Sequence, residues 1–131
     1  MSFWFTISLR SVLPIMLINL SFSQVGLGEL RDAYASLRSA LQLNIENDSI
    51  SWVLFSLVGY ANILAAEGKR DVALEVLGLC LNHPETNSDT RRDIQLVIED
   101  LKKLRSDDIE AGLESGKLLD INRTVLMALG G

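Results

Sequence analysis

Stacked antiparallel helical hairpins, an all-α fold closed by a helical C-terminal cap, are what three features of the sequence predict. A block of residues recurs after 40 positions, apolar residues recur at spacings of three and four, and only Pro14 and Pro84 stand in the way of long helices. At 131 residues the chain fits one domain that buries roughly two-thirds of the surface its unfolded form exposes.

The repeat is read by aligning Gly28 with Gly68. The first block holds Ile18-Asn19-Leu20-Ser21, then Gly28-Glu29-Leu30-Arg31-Asp32-Ala33, Leu37 and Ala40-Leu41. The second holds Val58-Gly59-Tyr60-Ala61, then Gly68-Lys69-Arg70-Asp71-Val72-Ala73, Leu77 and Cys80-Leu81. The first helices of the two hairpins are predicted over 12–26 and 52–67. Gly28 and Gly68 stand where these helices stop, because glycine adopts the left-handed conformation cheaply. The second helices are predicted over 30–43 and 70–81, with Ala33 and Ala73 small where the helices of a hairpin must approach. Leu37, Leu41, Leu77 and Leu81 supply the apolar stripe. Residues 44–49 are polar enough to form the loop between hairpins.

After Pro84 the pattern changes. Asn87-Ser88-Asp89 offers a helix start, and Ile94, Val97, Ile98, Leu101 and Leu104 form one apolar stripe ending near Arg105. A short helix over 107–115 ends at Gly116, and Asp120 caps a last helix over 121–129. The chain thus divides into an apolar segment (1–11), a first hairpin (12–49), a second hairpin (50–84) and a helical cap (85–131).

The glycine, alanine and leucine positions of both blocks, with Asn19-Leu20-Ser21 and Tyr60-Ala61, resemble the tetratricopeptide repeat. The likeness is to the variant of about 40 residues found towards the C-terminal end of multidomain bacterial signalling and transcriptional regulators. Leu30 and Arg70 depart from the pattern, which usually has an aromatic residue just after the turn. The resemblance implies a short right-handed superhelix and a cytoplasmic role in signal transduction or transcriptional control. Because such repeats need neighbours, it also implies the C-terminal part of a longer array, with residues 1–11 left from a preceding repeat. Phe3, Trp4, Phe5 and Ile7 then lie at an uncapped edge, which is open to self-association.

Charge narrows the function. The net charge of −5 argues against a phosphate backbone as partner, and the run Arg91-Arg92 and Lys102-Lys103-Arg105 is interleaved with acids rather than aromatics. Residues 11–28 carry no charge and approach the length of a bilayer span. Pro14, Asn19, Ser21, Ser23, Gln24 and two glycines interrupt that run, so a membrane is not the expected partner. A membrane-anchored or exported helical protein using residues 1–23 as anchor or signal is the alternative reading.

No catalytic, cofactor or metal site is predicted. Cys80 is the lone cysteine, in a buried-looking stripe, and His83 is the lone histidine, beside Pro84. The stretch Ala111-Gly112-Leu113-Glu114-Ser115-Gly116-Lys117-Leu118 fails as a phosphate loop. Only three residues separate its glycines, and Leu118 stands where a hydroxyl would reach magnesium. The carboxylate pairs Glu99-Asp100 and Asp107-Asp108 read as a solvated face.

The expected function is a non-catalytic protein–protein interaction scaffold. Its first helices would line a concave groove, with Ile15, Ile18, Phe22 and Val25 from one hairpin and Phe55, Val58, Asn62 and Ala65 from the other. This surface is apolar and lacks lysine and arginine, so an apolar partner helix or peptide suits it better than an acidic tail.

Overall fold

The computed structural model describes residues 3–130, with side chains from Val12 onward. The described residues are all-helical, with no strand. In chain order they form α1 (Phe3–Gly26), α2 (Leu30–Glu46), α3 (Ile50–Ala66), α4 (Arg70–Asn82), α5 (Ser88–Leu104), α6 (Ile109–Ser115), a 3₁₀ turn (Gly116–Leu118) and α7 (Ile121–Ala128). Helices α1 and α2 pack as one hairpin and α3 and α4 as the next. Helix α2 also lies along α3, and α1 touches α3 directly.

The 40-residue repeat is visible in the backbone itself. Gly28 has φ +79° and Gly68 φ +81°. At the first turn the amide of Glu29 donates to the Gln24 carbonyl (2.9 Å) and that of Gly28 to the Val25 carbonyl (3.0 Å). At the second, Lys69 donates to Leu64 (2.9 Å) and Gly68 to Ala65 (3.1 Å). These are two copies of one Schellman stop, which satisfies carbonyls a helix end would otherwise leave bare. Ala33, Leu37 and Ala40 are fully buried on α2, as are Ala73, Leu77 and Cys80 on α4.

The register continues once more. Pro14, Leu54 and Ile94 are buried, as are Ile18, Val58 and Ile98, and Ser21, Ala61 and Leu101. Helix α5 therefore offers the core the same positions as α1 and α3, and it packs on α3 and α4. Asp108, 40 residues after Gly68, has φ +66°, a conformation aspartate tolerates better than most residues. The segment expected only as a cap thus begins as a third first-helix. Its successor, α6, turns away and lies on α4. Glycines permit this close crossing: a Cβ on Gly78 would stand 2.0 Å from the Leu113 carbonyl oxygen, and one on Gly116 would stand 2.3 Å from that of Glu75.

Several expected boundaries move. Helix α1 starts at Phe3 rather than 12 and runs through Pro14, so most of the 1–11 segment is continuous with the first hairpin. The expected edge formed by Phe3, Trp4, Phe5 and Ile7 concerns side chains outside the described residues. The loop expected over 44–49 shrinks to a turn after Glu46, because Asn44 is used inside the stack. Its Nδ2 donates to Ser56 Oγ (2.9 Å) and to the Trp52 carbonyl (3.1 Å). Leu104 leaves the apolar stripe and is exposed.

Helix α7 returns to the first hairpin. Arg38 of α2 donates through Nε to the Ala128 carbonyl (3.2 Å) and sits over the Tyr34 ring, 4.8 Å from its centre. A cation at a helix C-terminus meets the negative end of the helix dipole. No helix of the described residues is long and apolar enough to cross a membrane. One face of α1 is committed to the stack: Ile18 is buried with Ala40 and Phe55, and Ser21 Oγ donates to the Ala33 carbonyl (3.0 Å).

Candidate functional site

Helices α1, α3 and α5 stand side by side and form the walls of one groove. Helix α1 turns Ile15, Asn19, Phe22 and Val25 towards it, and α3 turns Trp52, Phe55, Asn62 and Ala65. Each of Ile15, Phe22 and Val25 lies 40 residues from Phe55, Asn62 and Ala65, so both helices present the same rotated face. Helix α5 closes the groove with Asp89, Asp93, Val97, Asp100 and Leu104 at the spacings of one helical face.

Three hollows follow one another along it. The central one, about 420 Å³, is lined by Phe22, Phe55, Asn62, Asp93, Leu96 and Val97. A second of about 210 Å³ shares Asn62, Val97 and Asp100 with it, and a third of about 180 Å³ shares Asn19, Phe55 and Asp93. Shared lining makes this one continuous trough rather than three sites. Its floor depends on Gly59, where an added Cβ would meet Leu37 Cδ1 at 3.1 Å and Phe22 Cε2 at 3.9 Å. The missing side chain lets Leu37 of α2 approach α3 closely. Trp52 holds the Phe55 ring edge-on, with centroids 5.8 Å apart.

Six of the eight residues expected to face a partner do line this trough: Ile15, Phe22, Val25, Phe55, Asn62 and Ala65. Ile18 and Val58 lie beneath it, fully buried, and hold the helices together instead. The expectation of a purely apolar surface also changes, because it considered only two helices. Helix α5 adds Asp89, Asp93, Glu99 and Asp100 against one cation, Lys103.

Most of these acids are partnered at the surface. Asp89 meets Arg92 (2.9 Å), Glu99 meets Lys102 (3.7 Å) and Asp100 meets Lys103 (3.7 Å), all exposed pairs worth little each. Among the described residues Asp93 forms no ion pair. Burial pushes its carboxyl above the usual range, Asp89 pushes the same way, and Arg92 opposes them. A half-buried carboxylate beside aromatic rings is a place where an incoming cation gains most.

Helix α5 owes its position to polar ties at both ends. At its start, Asn87 Oδ1 accepts from the Thr90 amide (2.9 Å), and Arg91 Nη1 donates to the Leu81 carbonyl (2.7 Å). At its end, Arg70 of α4 donates to the carbonyls of Leu101 (2.9 Å), Arg105 and Asp107 (3.1 Å). The residue that departs from the repeat pattern after the second turn is therefore the clamp on the third helix. Nothing in its local sequence signals that, because its partners lie more than 30 residues away.

The remaining chemistry-bearing residues have structural surroundings. Cys80 is buried, donates weakly to the Leu54 carbonyl (3.6 Å), and its thiol is pushed up to about 12 by burial. His83 Nδ1 accepts from the Glu85 amide (3.1 Å) in the turn before α5. Gly112 and Gly116 serve the crossing with α4, since a Cβ on Gly112 would stand 2.7 Å from Leu74 Cβ. Among the described residues no group of three or more His, Cys, Asp or Glu side chains is placed to hold a metal ion.

Comparison with known proteins yields no relative: no family model matches the chain, and it matches no curated protein and no solved structure.

Proposed function

We propose that the chain is a non-catalytic interaction scaffold of tetratricopeptide type, whose trough between α1, α3 and α5 receives an amphipathic partner helix. The observation that carries this reading is the trough itself: an aromatic and aliphatic floor with an acidic rim on one side. A helix is about 10 Å across and presents apolar residues every three or four positions, which suits a row of connected hollows better than one deep pocket. Apolar anchors would seat over Phe22, Phe55 and Val97, while lysine or arginine on the flank would meet Asp93 and Asp100. The 40-residue register of turns and buried positions supports the kinship with tetratricopeptide arrays. Within this reading the chain serves cytoplasmic signal transduction or transcriptional control through what it recruits.

The test is an NMR titration with a synthetic 16-residue helical peptide carrying leucines on one face and lysines along its flank. Amide shifts confined to α1, α3 and α5, weakened by Asp93→Lys and by added salt, are expected. Shifts centred on α7, or affinity indifferent to Asp93→Lys, would show that the trough is not the site.

A further inference from the structure

Helix α7 is fastened to the stack more lightly than the elements before it. Close crossings at Gly78 and Gly116 lock α6 and the 3₁₀ turn on α4, and Arg70 and Arg91 tie α5 at its two ends. Among the described residues a single hydrogen bond joins α7 to another helix, from the exposed Arg38 to the Ala128 carbonyl at the C-terminal end of α7. Its N-terminal end hangs on an extended link, with ψ 140° at Leu119 and 124° at Asp120. Of its eight residues only Thr124 and Ala128 are buried.

Beneath α7 runs a furrow that shares no lining residue with the trough. Helix α4 forms one wall with Val72 and Val76, and the end of α2 with the start of α3 forms the other with Ile45, Ile50 and Val53. Helix α7 does not fill it. A hollow of about 380 Å³ remains on the α4 side and one of about 280 Å³ on the other. Space along both flanks leaves the helix without many of the close contacts that hold a buried one. Each wall also brings an acid to its hollow, Glu75 on α4 and Asp48 in the turn after α2. Helix α7 sets Arg123 at the first but the uncharged Asn122 at the second, so it answers only half of the charge pattern.

We propose that α7 is a displaceable strap: it swings out on the Leu119–Asp120 link while the stack stays folded, and a basic amphipathic partner helix takes its place. The chain's own helix shows what the furrow accepts, namely apolar residues at the spacing of Ile121, Val125 and Leu129, which pack against the core. The partner adds a cation where α7 has Asn122, which fills the smaller hollow and meets Asp48. That gain matters because α7 is tethered beside its seat, and a helix in trans must outweigh that high effective concentration. The furrow and the trough are separate, so this inference stands or falls independently of the trough.

Two thiols in one full-length molecule test it. Cys80 lies in the main core and reports global unfolding, whereas a cysteine placed under α7 by Ala128→Cys, or in a second variant by Thr124→Cys, reports opening of the strap. With a disulfide reagent, the introduced thiol should label about a hundredfold faster than Cys80, as expected of a local opening. Arg38→Met should speed that labelling about tenfold more and leave Cys80 unmoved. A synthetic peptide of residues 119–131 should accelerate it saturably, and the same peptide with Asn122→Arg should do so at about a tenth of the concentration. Labelling of both thiols at one rate, peptides without effect, or equal potency of the two peptides would overturn the proposal. So would a dimer on sedimentation whose strap opens more slowly as the chain is concentrated, which would make α7 of a second copy the occupant.

Discussion

Replacing Gly78 by alanine adds one methyl group where α4 crosses α6, and the structure allows no room for it. The new Cβ would lie 2.0 Å from the Leu113 carbonyl oxygen and 2.8 Å from its carbon. Ordinary contact begins near 3.4 Å, so α6 must retreat by more than an ångström; both atoms are backbone, and no rotamer change relieves the clash. Retreat loosens Ile109, which is buried in the main core, and Leu113, which packs against it. Overpacking of this kind costs about 1–3 kcal/mol, and full exposure of the Ile109 side chain would cost about 1.5–3 kcal/mol by itself. Alanine returns about 0.5–1 kcal/mol through its helix preference within α4. The net loss is about 1–4 kcal/mol, or a fall in Tm on the order of 10 °C for a chain of this length. Thermal and urea unfolding followed by circular dichroism measure it. Gly26→Ala is the control: its Cβ would meet nothing within 4 Å, so stability should hold or rise slightly. If Gly78→Ala unfolds within about 0.5 kcal/mol of the wild type, α6 is not seated on α4 as described.

Three further predictions are independent of that crossing. Arg70→Met removes hydrogen bonds from a charged donor to the carbonyls at the end of α5; a loss of about 1.5–3 kcal/mol is expected, with faster amide exchange across residues 101–108. Unchanged exchange there would mean that α5 is held from elsewhere. The Cys80 thiol, pushed up to about 12, should resist a disulfide reagent at pH 8 in the folded chain and react only in denaturant; rapid native labelling would contradict its burial. Asp93 works in the opposite sense to most carboxylates. Its folded value is raised above the ordinary 3.8, so the folded chain holds that proton to higher pH, and stability is lost as pH rises through the window between the two values. Asp93→Asn should therefore be more stable than the wild type at pH 7 and equal to it at pH 3. Destabilisation at pH 7 would show that a cation already holds the carboxylate.

What was legible in the sequence followed from local rules. A glycine at a helix stop, a small residue five positions later and leucines at helical spacing are each dictated by backbone geometry. Both turns came out as the Gly28 and Gly68 alignment required. The third copy of the register was present in Ile94, Ile98 and Leu101. It was masked because Asp108 stands where glycine is expected and because the next helix is too short to repeat the pattern. Asn44 misled for another reason: its polarity suggests a loop, yet its amide is satisfied by Ser56 and Trp52 within the stack. Ile18 and Val58 show the limit of periodicity. A helical stripe tells which residues point the same way, but the neighbouring helix decides which edge of the stripe it covers.

The three walls of the trough are held by different means, and that separates binding from folding. Helix α1 is backed by α2 and α3 by α4, each along its length. Helix α5 lacks such a backing, because α6 turns to α4 instead. A buried stripe of Ile94, Val97, Ile98 and Leu101 sets its height, and polar ties at its two ends set its rotation. None of the end ties involves Asp93 or Leu96, which are turned to the trough. Substitutions at Asp93 or Leu96 should thus change what the trough accepts while leaving the helical stack intact. Loss of Arg70 should weaken both together, since it releases the wall on which the acidic rim stands.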